Sequence, residues 1–123
     1  MPRAVRKRYV VRLHPVVGSQ ITAIAEKRGF LTATFISSVL EQTVAEYGEN
    51  YRLYDTDGDF QLRRGPGGKG AKQTSVYLSD HAYDTIAAIS AYLTENVDRD
   101  MTPTYVIRDM LTRWLDENGE QEA

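Results

Sequence analysis

One pattern occurs twice in this chain. An alternating strand that ends in Leu leads into a helix carrying IxxIA or IxxIS, and a second apolar helix follows, opened near a Thr-x-Thr. The first copy reads RYVVRLHPVVGSQITAIAEKRGFLTATFISSVL and the second KQTSVYLSDHAYDTIAAISAYLTENVDRDMTPTYVIRDML. Leu13, Ile21 and Ile24 recur as Leu78, Ile86 and Ile89, each 65 residues later. A strand and two helices of this size cannot bury their apolar faces alone, so the repeat predicts two copies packed around one core.

Within the first copy, Arg8 to His14 alternate as a half-buried strand, with Tyr9, Val11 and Leu13 on one face and Arg8, Val10 and Arg12 on the other. A register shift of one residue would bury both arginines and expose the Leu, which identifies the apolar row as the inner one. Pro15 suits the first turn of a helix, Val17, Ile21, Ile24 and Ala25 form its stripe, and Gly29 stops it. The second helix is expected to use Thr32 as its N-cap, to carry Phe35, Ile36, Val39, Leu40, Val44 and Tyr47, and to end at Gly48. In the second copy the inner strand row is Thr74, Val76 and Leu78, and the outer row is Gln73, Ser75 and Tyr77. Ser79 or Asp80 caps a helix with the stripe Ala82, Ile86, Ile89 and Leu93. Thr102 caps the last helix, Pro103 takes its first position, Tyr105, Val106, Ile107, Met110, Leu111, Trp114 and Leu115 supply its apolar face, and Gly119 is expected to close it.

Between the copies, residues 49–71 change character to aspartates and then glycines around Pro66. A connection of about 20 residues exceeds the usual 2–8 between packed helices, and that length lets the second strand return beside the first. YRLY and FQLRR are compatible with a local hairpin around Asp57-Gly58. The expected organisation is one unit over 7–48, a linker over 49–71 and a second unit over 72–119, sharing a core.

The net charge of -2 conceals a strong segregation. Arg3, Arg6, Lys7, Arg8 and Arg12 precede the first acid, Glu26, and Arg63, Arg64, Lys69 and Lys72 precede or open the second strand. Both strands are approached through basic sequence, while acids collect on the helices and in DENGEQEA. No run of 18 apolar residues is present, the basic start lacks the continuous apolar stretch of a secretory signal, and there is no cysteine, which excludes disulfides and thiolate metal sites. A cytoplasmic protein is expected, with no membrane partner.

Other constellations fail on inspection. Residues 65–70 satisfy GxGxxG but lead into a strand instead of a helix, and Lys69 is followed by Gly70 where a P-loop needs Ser or Thr. Asp55, Asp57 and Asp59 suggest a calcium loop, yet the Gly is misplaced and Pro66 occupies the position of the bidentate Glu. His14 and His81 stand near helix starts, where capping or surface roles suffice. No nucleophile, base and orienting group stand together, so neither enzyme activity, a metal nor a cofactor is expected.

A strand with one apolar and one polar face, followed by two amphipathic helices, resembles half of a ribbon-helix-helix DNA-binding fold. TSVYLSDHAYDTIAAI carries that superfamily's strand, LS-acid cap and helix pattern, and TPTYVI is similar to its Ser-x-Ser or Thr-x-Thr helix start. The resemblance covers about 90 of the 123 residues, omitting mainly the linker and tails. It implies a mainly α fold with a small two-stranded antiparallel ribbon, formed by two units of one chain as an intramolecular pseudo-dimer. It also implies that the ribbon enters the major groove of double-stranded DNA. The outward strand positions, and hence the implied base-reading residues, are Arg8, Val10, Arg12, Gln73, Ser75 and Tyr77. The implied phosphate contacts are Lys7 and Lys72 with the second-helix starts, Thr32 and Thr34 and then Thr102 and Thr104. Two departures stand out: Pro103 lacks a donor, and Ile36 lies one residue nearer Thr32 than Ile107 does to Thr102. Unlike outward residues predict an asymmetric, non-palindromic target. Tandem units in one chain are similar to accessory proteins of bacterial conjugation of the TraY type and to the VirC-operon protein that assists T-DNA transfer. By that resemblance the partners are double-stranded DNA and a relaxase or other transfer proteins, with the chain acting as a monomer or self-associating further on DNA. A transcriptional repressor or antitoxin-type autoregulator is the alternative, although the polar residues after Asp116 are few for wrapping a toxin.

Overall fold

The computed structural model describes residues 7–13, 15–53, 72–96 and 102–122. Strand β1 (Lys7–Leu13) is followed by helices α1 (Pro15–Lys27) and α2 (Thr32–Tyr47) and a single 3-10 turn (Gly48–Asn50). Strand β2 (Lys72–Leu78) is followed by α3 (Asp80–Asn96) and α4 (Pro103–Glu122). Among the described residues the fold is mainly helical with one two-stranded antiparallel sheet. The suggested hairpin around Asp57-Gly58 and the glycine-rich 65–70 stretch lie outside the described residues.

β1 and β2 pair antiparallel, with Lys7 opposite Leu78, Val10 opposite Ser75 and Leu13 opposite Lys72. Ser75 is also the residue that follows Val10 by the repeat offset. The pairing is therefore centred on one repeated position, and each strand meets the other as its own copy in reverse. Val11, Leu13, Val76 and Leu78 are all buried on the inner row, and each contributes roughly 1.5–3 kcal/mol by leaving water.

What covers that row is exchanged between the halves. α2 packs chiefly on β2, the strand of the other half, and α4 packs on β1 as extensively as on α3. Buried side chains from both halves consequently form a single hydrophobic cluster. A hydrogen-bonded contact reinforces the exchange. Ser79, which precedes α3, donates its backbone N–H to Glu41 Oε2 of α2 at 2.8 Å and its hydroxyl to Oε1 at 3.0 Å. The same Ser79 Oγ accepts the Ala82 N–H at 3.1 Å, so Ser79, not Asp80, is the cap.

Helix ends follow local chemistry with two corrections. Gly29, at a φ of 79°, lets the Phe30 N–H reach Ala25 O at 2.8 Å and its own N–H reach Glu26 O at 3.1 Å, which closes α1. Thr32 is not the N-cap of α2: Leu31 holds that position with no side-chain cap, and Thr32 is already helical. α4 does not stop at Gly119 but runs to Glu122, because one glycine in a helix costs only about 1 kcal/mol relative to Ala and nothing terminates the turn there.

Packing on the core continues past α2 to Tyr51 and Arg52. Tyr51 is fully buried, its ring edge-on to Tyr47 at 5.5 Å, and its hydroxyl donates to Asp109 Oδ2 at 2.7 Å. Asp109 is itself fully buried on α4. Arg52 then lies over the Tyr92 ring of α3 at 4.0 Å, so the chain leaving α2 is tied to both helices of the second half.

Tyr51→Phe removes the hydroxyl that Asp109 accepts, and is expected to lower unfolding free energy by about 1.5–3 kcal/mol in urea titration. Burial, and then Asp109, push the Tyr51 phenol above its ordinary ionisation at 10.0. The folded chain keeps a proton that the unfolded chain releases near pH 10, so this stability is present below about pH 10 and is lost as pH rises further. Tyr9, raised chiefly by burial, acts in the same direction. The alkaline decline in denaturation midpoint should be shallower in Tyr51→Phe than in wild type.

Candidate nucleic-acid interface

The period of two along a strand sends alternate side chains to opposite faces. With the inner row committed to the core, Arg8, Val10, Arg12, Gln73, Ser75 and Tyr77 are left together on the outer face. Across the ribbon Arg8 pairs with Tyr77, Val10 with Ser75 and Arg12 with Gln73. Arg8, Arg12 and Gln73 are exposed, and Ser75 is half-buried. Val10 and Tyr77, at 38% and 45% exposure, stand among the more open large apolar or aromatic side chains of the described residues. Among the described residues neither Arg8 nor Arg12 has a carboxylate partner. The structure thus brings all six outward residues into one patch, with two guanidinium groups available to an incoming acceptor.

The expected phosphate contacts fare less uniformly. Lys7 is exposed but engaged: its Nζ lies 3.1 Å from Asp84 Oδ1 and 5.2 Å from the centre of the Tyr83 ring. The hydrogen bond to Asp84, and then its charge, raise the ammonium above its ordinary 10.5. Lys72 takes the equivalent place at the opposite end of the ribbon, opposite Leu13.

At the start of α4, Thr102 Oγ1 accepts the Tyr105 N–H at 3.2 Å and lies 3.2 Å from Thr104 Oγ1. Pro103 has no N–H to offer. One donor of that helix start is absent and another is occupied within the chain, which leaves less for an anion than the Thr-x-Thr motif suggests. The start of α2 is the reverse. Thr32 Oγ1 turns to Thr22 Oγ1 at 3.5 Å, Thr34 is exposed, and the N-cap residue Leu31 offers no side-chain cap. The amides of its first turn lack intrahelical acceptors and carry the positive end of the helix dipole. The structural counterpart of Thr102 is therefore Leu31, which accounts for the one-residue difference in spacing between Thr32–Ile36 and Thr102–Ile107.

Sequence reading missed Tyr51, Asp109 and the Asp84 contact. An acid inside the apolar stripe of YVIRDML was the available signal for Asp109, since a buried carboxylate needs a donor. Nothing local marks Asp84 as the partner of Lys7, 77 positions away.

No known protein family, curated protein or solved structure matches this chain. Among the described residues no group of three or more His, Asp or Glu is arranged to hold a metal ion, and no helix is long and apolar enough to cross a membrane.

The two ribbon faces should separate in mutagenesis. Leu78→Ala is expected to destabilise the fold by about 2–5 kcal/mol, whereas Arg12→Ala and Gln73→Ala should stay within about 0.5 kcal/mol of wild type in the same urea titration.

Proposed function

We propose that the chain is a tandem ribbon-helix-helix protein, an intramolecular pseudo-dimer that binds double-stranded DNA by laying its ribbon in the major groove. The observation that carries this reading is the ribbon itself: an exposed outer face with two arginines that have no carboxylate partner among the described residues, held on a core built from both halves. A two-stranded ribbon is narrow enough for a groove about 12 Å wide. The rise of about 3.4 Å per residue gives a reading face of roughly 14 Å from Arg8 to Arg12, close to four base-pair steps of about 3.4 Å each.

Arginine bonds guanine O6 and N7 with two donors, glutamine matches adenine N6 and N7, and Val10 is suited to a thymine methyl. Because Arg8, Val10 and Arg12 have Gln73, Ser75 and Tyr77 as counterparts, the favoured site is asymmetric. The uncapped start of α2 supports a backbone phosphate contact in addition to the strand readers. The biological setting rests on resemblance alone: tandem units favour an accessory role beside a relaxase in plasmid or T-DNA transfer over a repressor or antitoxin-type autoregulator.

Binding measured across salt concentrations tests the reading directly. A ribbon that neutralises several phosphates loses affinity with a log-log slope of about -0.9 per phosphate; no binding to any duplex at low salt would sink it. In selection from random DNA, Arg12→Ala should relax preference at one base position at a cost of about 1–3 kcal/mol, whereas Lys72→Ala should weaken all sequences alike.

A further inference from the structure

The repeat offset that superposes the two strands also identifies what each end of the ribbon carries beside it. Lys72 corresponds to Lys7, Thr74 to Tyr9, Gly18 to Tyr83 and Ser19 to Asp84. At the end where β1 begins and β2 finishes, these positions form a connected cluster. The rings of Tyr9 and Tyr83 stack at 4.3 Å and 8°, and the Tyr9 hydroxyl donates to Tyr83 O at 3.3 Å. Lys7 lies over Tyr83 and pairs with Asp84, and Asp80 adds a second negative charge near it. At the end where Arg12 faces Gln73, the corresponding residues cannot make this cluster. Gly18 has no ring, Ser19 has no charge, and α1 carries no acid before Glu26.

The base-reading face therefore runs between unlike ends. One has a lysine already neutralised by a carboxylate and two acids at the start of α3; the other has an arginine beside a glutamine and no acid at the start of α1. Phosphate oxygens approaching the first end meet Asp80 and Asp84 as like charges, whereas at the second the first two turns of α1 present no acid.

We propose that the ribbon seats on duplex DNA in a single orientation, with the Arg12–Gln73 end as the tighter half and Asp84 withholding Lys7 from phosphate at the other. This deepens, and rests on, the DNA-binding reading. A half turn about the Val10–Ser75 pair exchanges unlike outward residues, which sets a preferred orientation through the bases. Asp84 adds to that preference by weakening the phosphate grip at one end. The Arg12–Gln73 end selects adjacent guanine and adenine, and the Arg8–Tyr77 end tolerates more sequences. The pair Lys7–Asp84 is exposed, with side chains 43% and 67% accessible, so it is open to competition from solvent and added charge.

The absence of cysteine from the chain supplies a clean test. A single cysteine placed by His81→Cys, at an exposed position in the first turn of α3, carries an iron–EDTA cleavage reagent next to the acidic end. On a site selected from random duplexes, the wild-type background should cut on one flank only, the flank away from the guanine–adenine step. Equal cutting on both flanks overturns the proposal. Asp84→Ser, which makes this end like the other, should bind more tightly and steepen the salt slope by about 0.9, the signature of one added phosphate contact. Lys7→Ala in the Asp84→Ser background should abolish that increment. Asp84→Asn should reproduce the steeper slope with the side-chain volume kept, which separates charge from packing. If both Asp84 variants keep the wild-type salt slope, Asp84 does not restrain Lys7 and that part is overturned. Failure of the unaltered chain to bind any duplex overturns the DNA reading itself, a result distinct from binding in both orientations.

Discussion

The antiparallel pairing of β1 with β2 is the constraint on which the rest of the molecule depends. An isolated two-stranded ribbon is marginal in water, because half of its side chains have nothing to pack against. Here the inner row is covered by α2 and α4, each taken from the half opposite the strand it chiefly covers. Because each inner row is covered chiefly by a helix that lies across the chain from it, strand pairing and helix packing support each other. The Ser79–Glu41 bonds and the Tyr51–Asp109 bond lie along the same crossing, where elements of one half close the other.

That division of labour matches which positions of the repeat are alike and which are not. Substitutions on the inner row face a close-packed interior, in which the loss of even one methylene is felt. The outer row has no such neighbours. Leu13, Ile21 and Ile24 accordingly recur as Leu78, Ile86 and Ile89, while Arg8, Val10 and Arg12 have the unlike counterparts Gln73, Ser75 and Tyr77. Overall charge follows the same logic. A net charge of -2 says little about the ribbon, because most acids sit on helices, and Asp80 and Asp84 stand beside Lys7 at one of its ends.

Much of the architecture was legible because it depends on periodicity and on residues close in sequence. Alternation marked both strands to within a residue, the stripe Ala82, Ile86, Ile89 and Leu93 is buried as its spacing requires, and Gly29 and Gly48 end their helices with positive φ. The failures are equally local in origin. Thr32 looks like a cap, yet its hydroxyl turns to Thr22 and the cap position falls to Leu31. Gly119 looks like a stop, yet the helix continues for three more residues. Tyr51 sits at the edge of an aspartate- and glycine-rich stretch, so its burial depends on a partner 58 positions away.

By itself, the sequence determined the repeat, the elements, the inner and outer rows of each strand and the six residues offered outward. Period and propensity are properties of a short window, and these follow from them. Only the tertiary structure decided which residues meet: Arg8 with Tyr77, Arg12 with Gln73, Tyr51 with Asp109, and Lys7 with Asp84 instead of an open surface. Those pairings require chain segments far apart in sequence to be brought into register. Register is set by the burial of both inner rows in one shared core, a condition that no single segment carries.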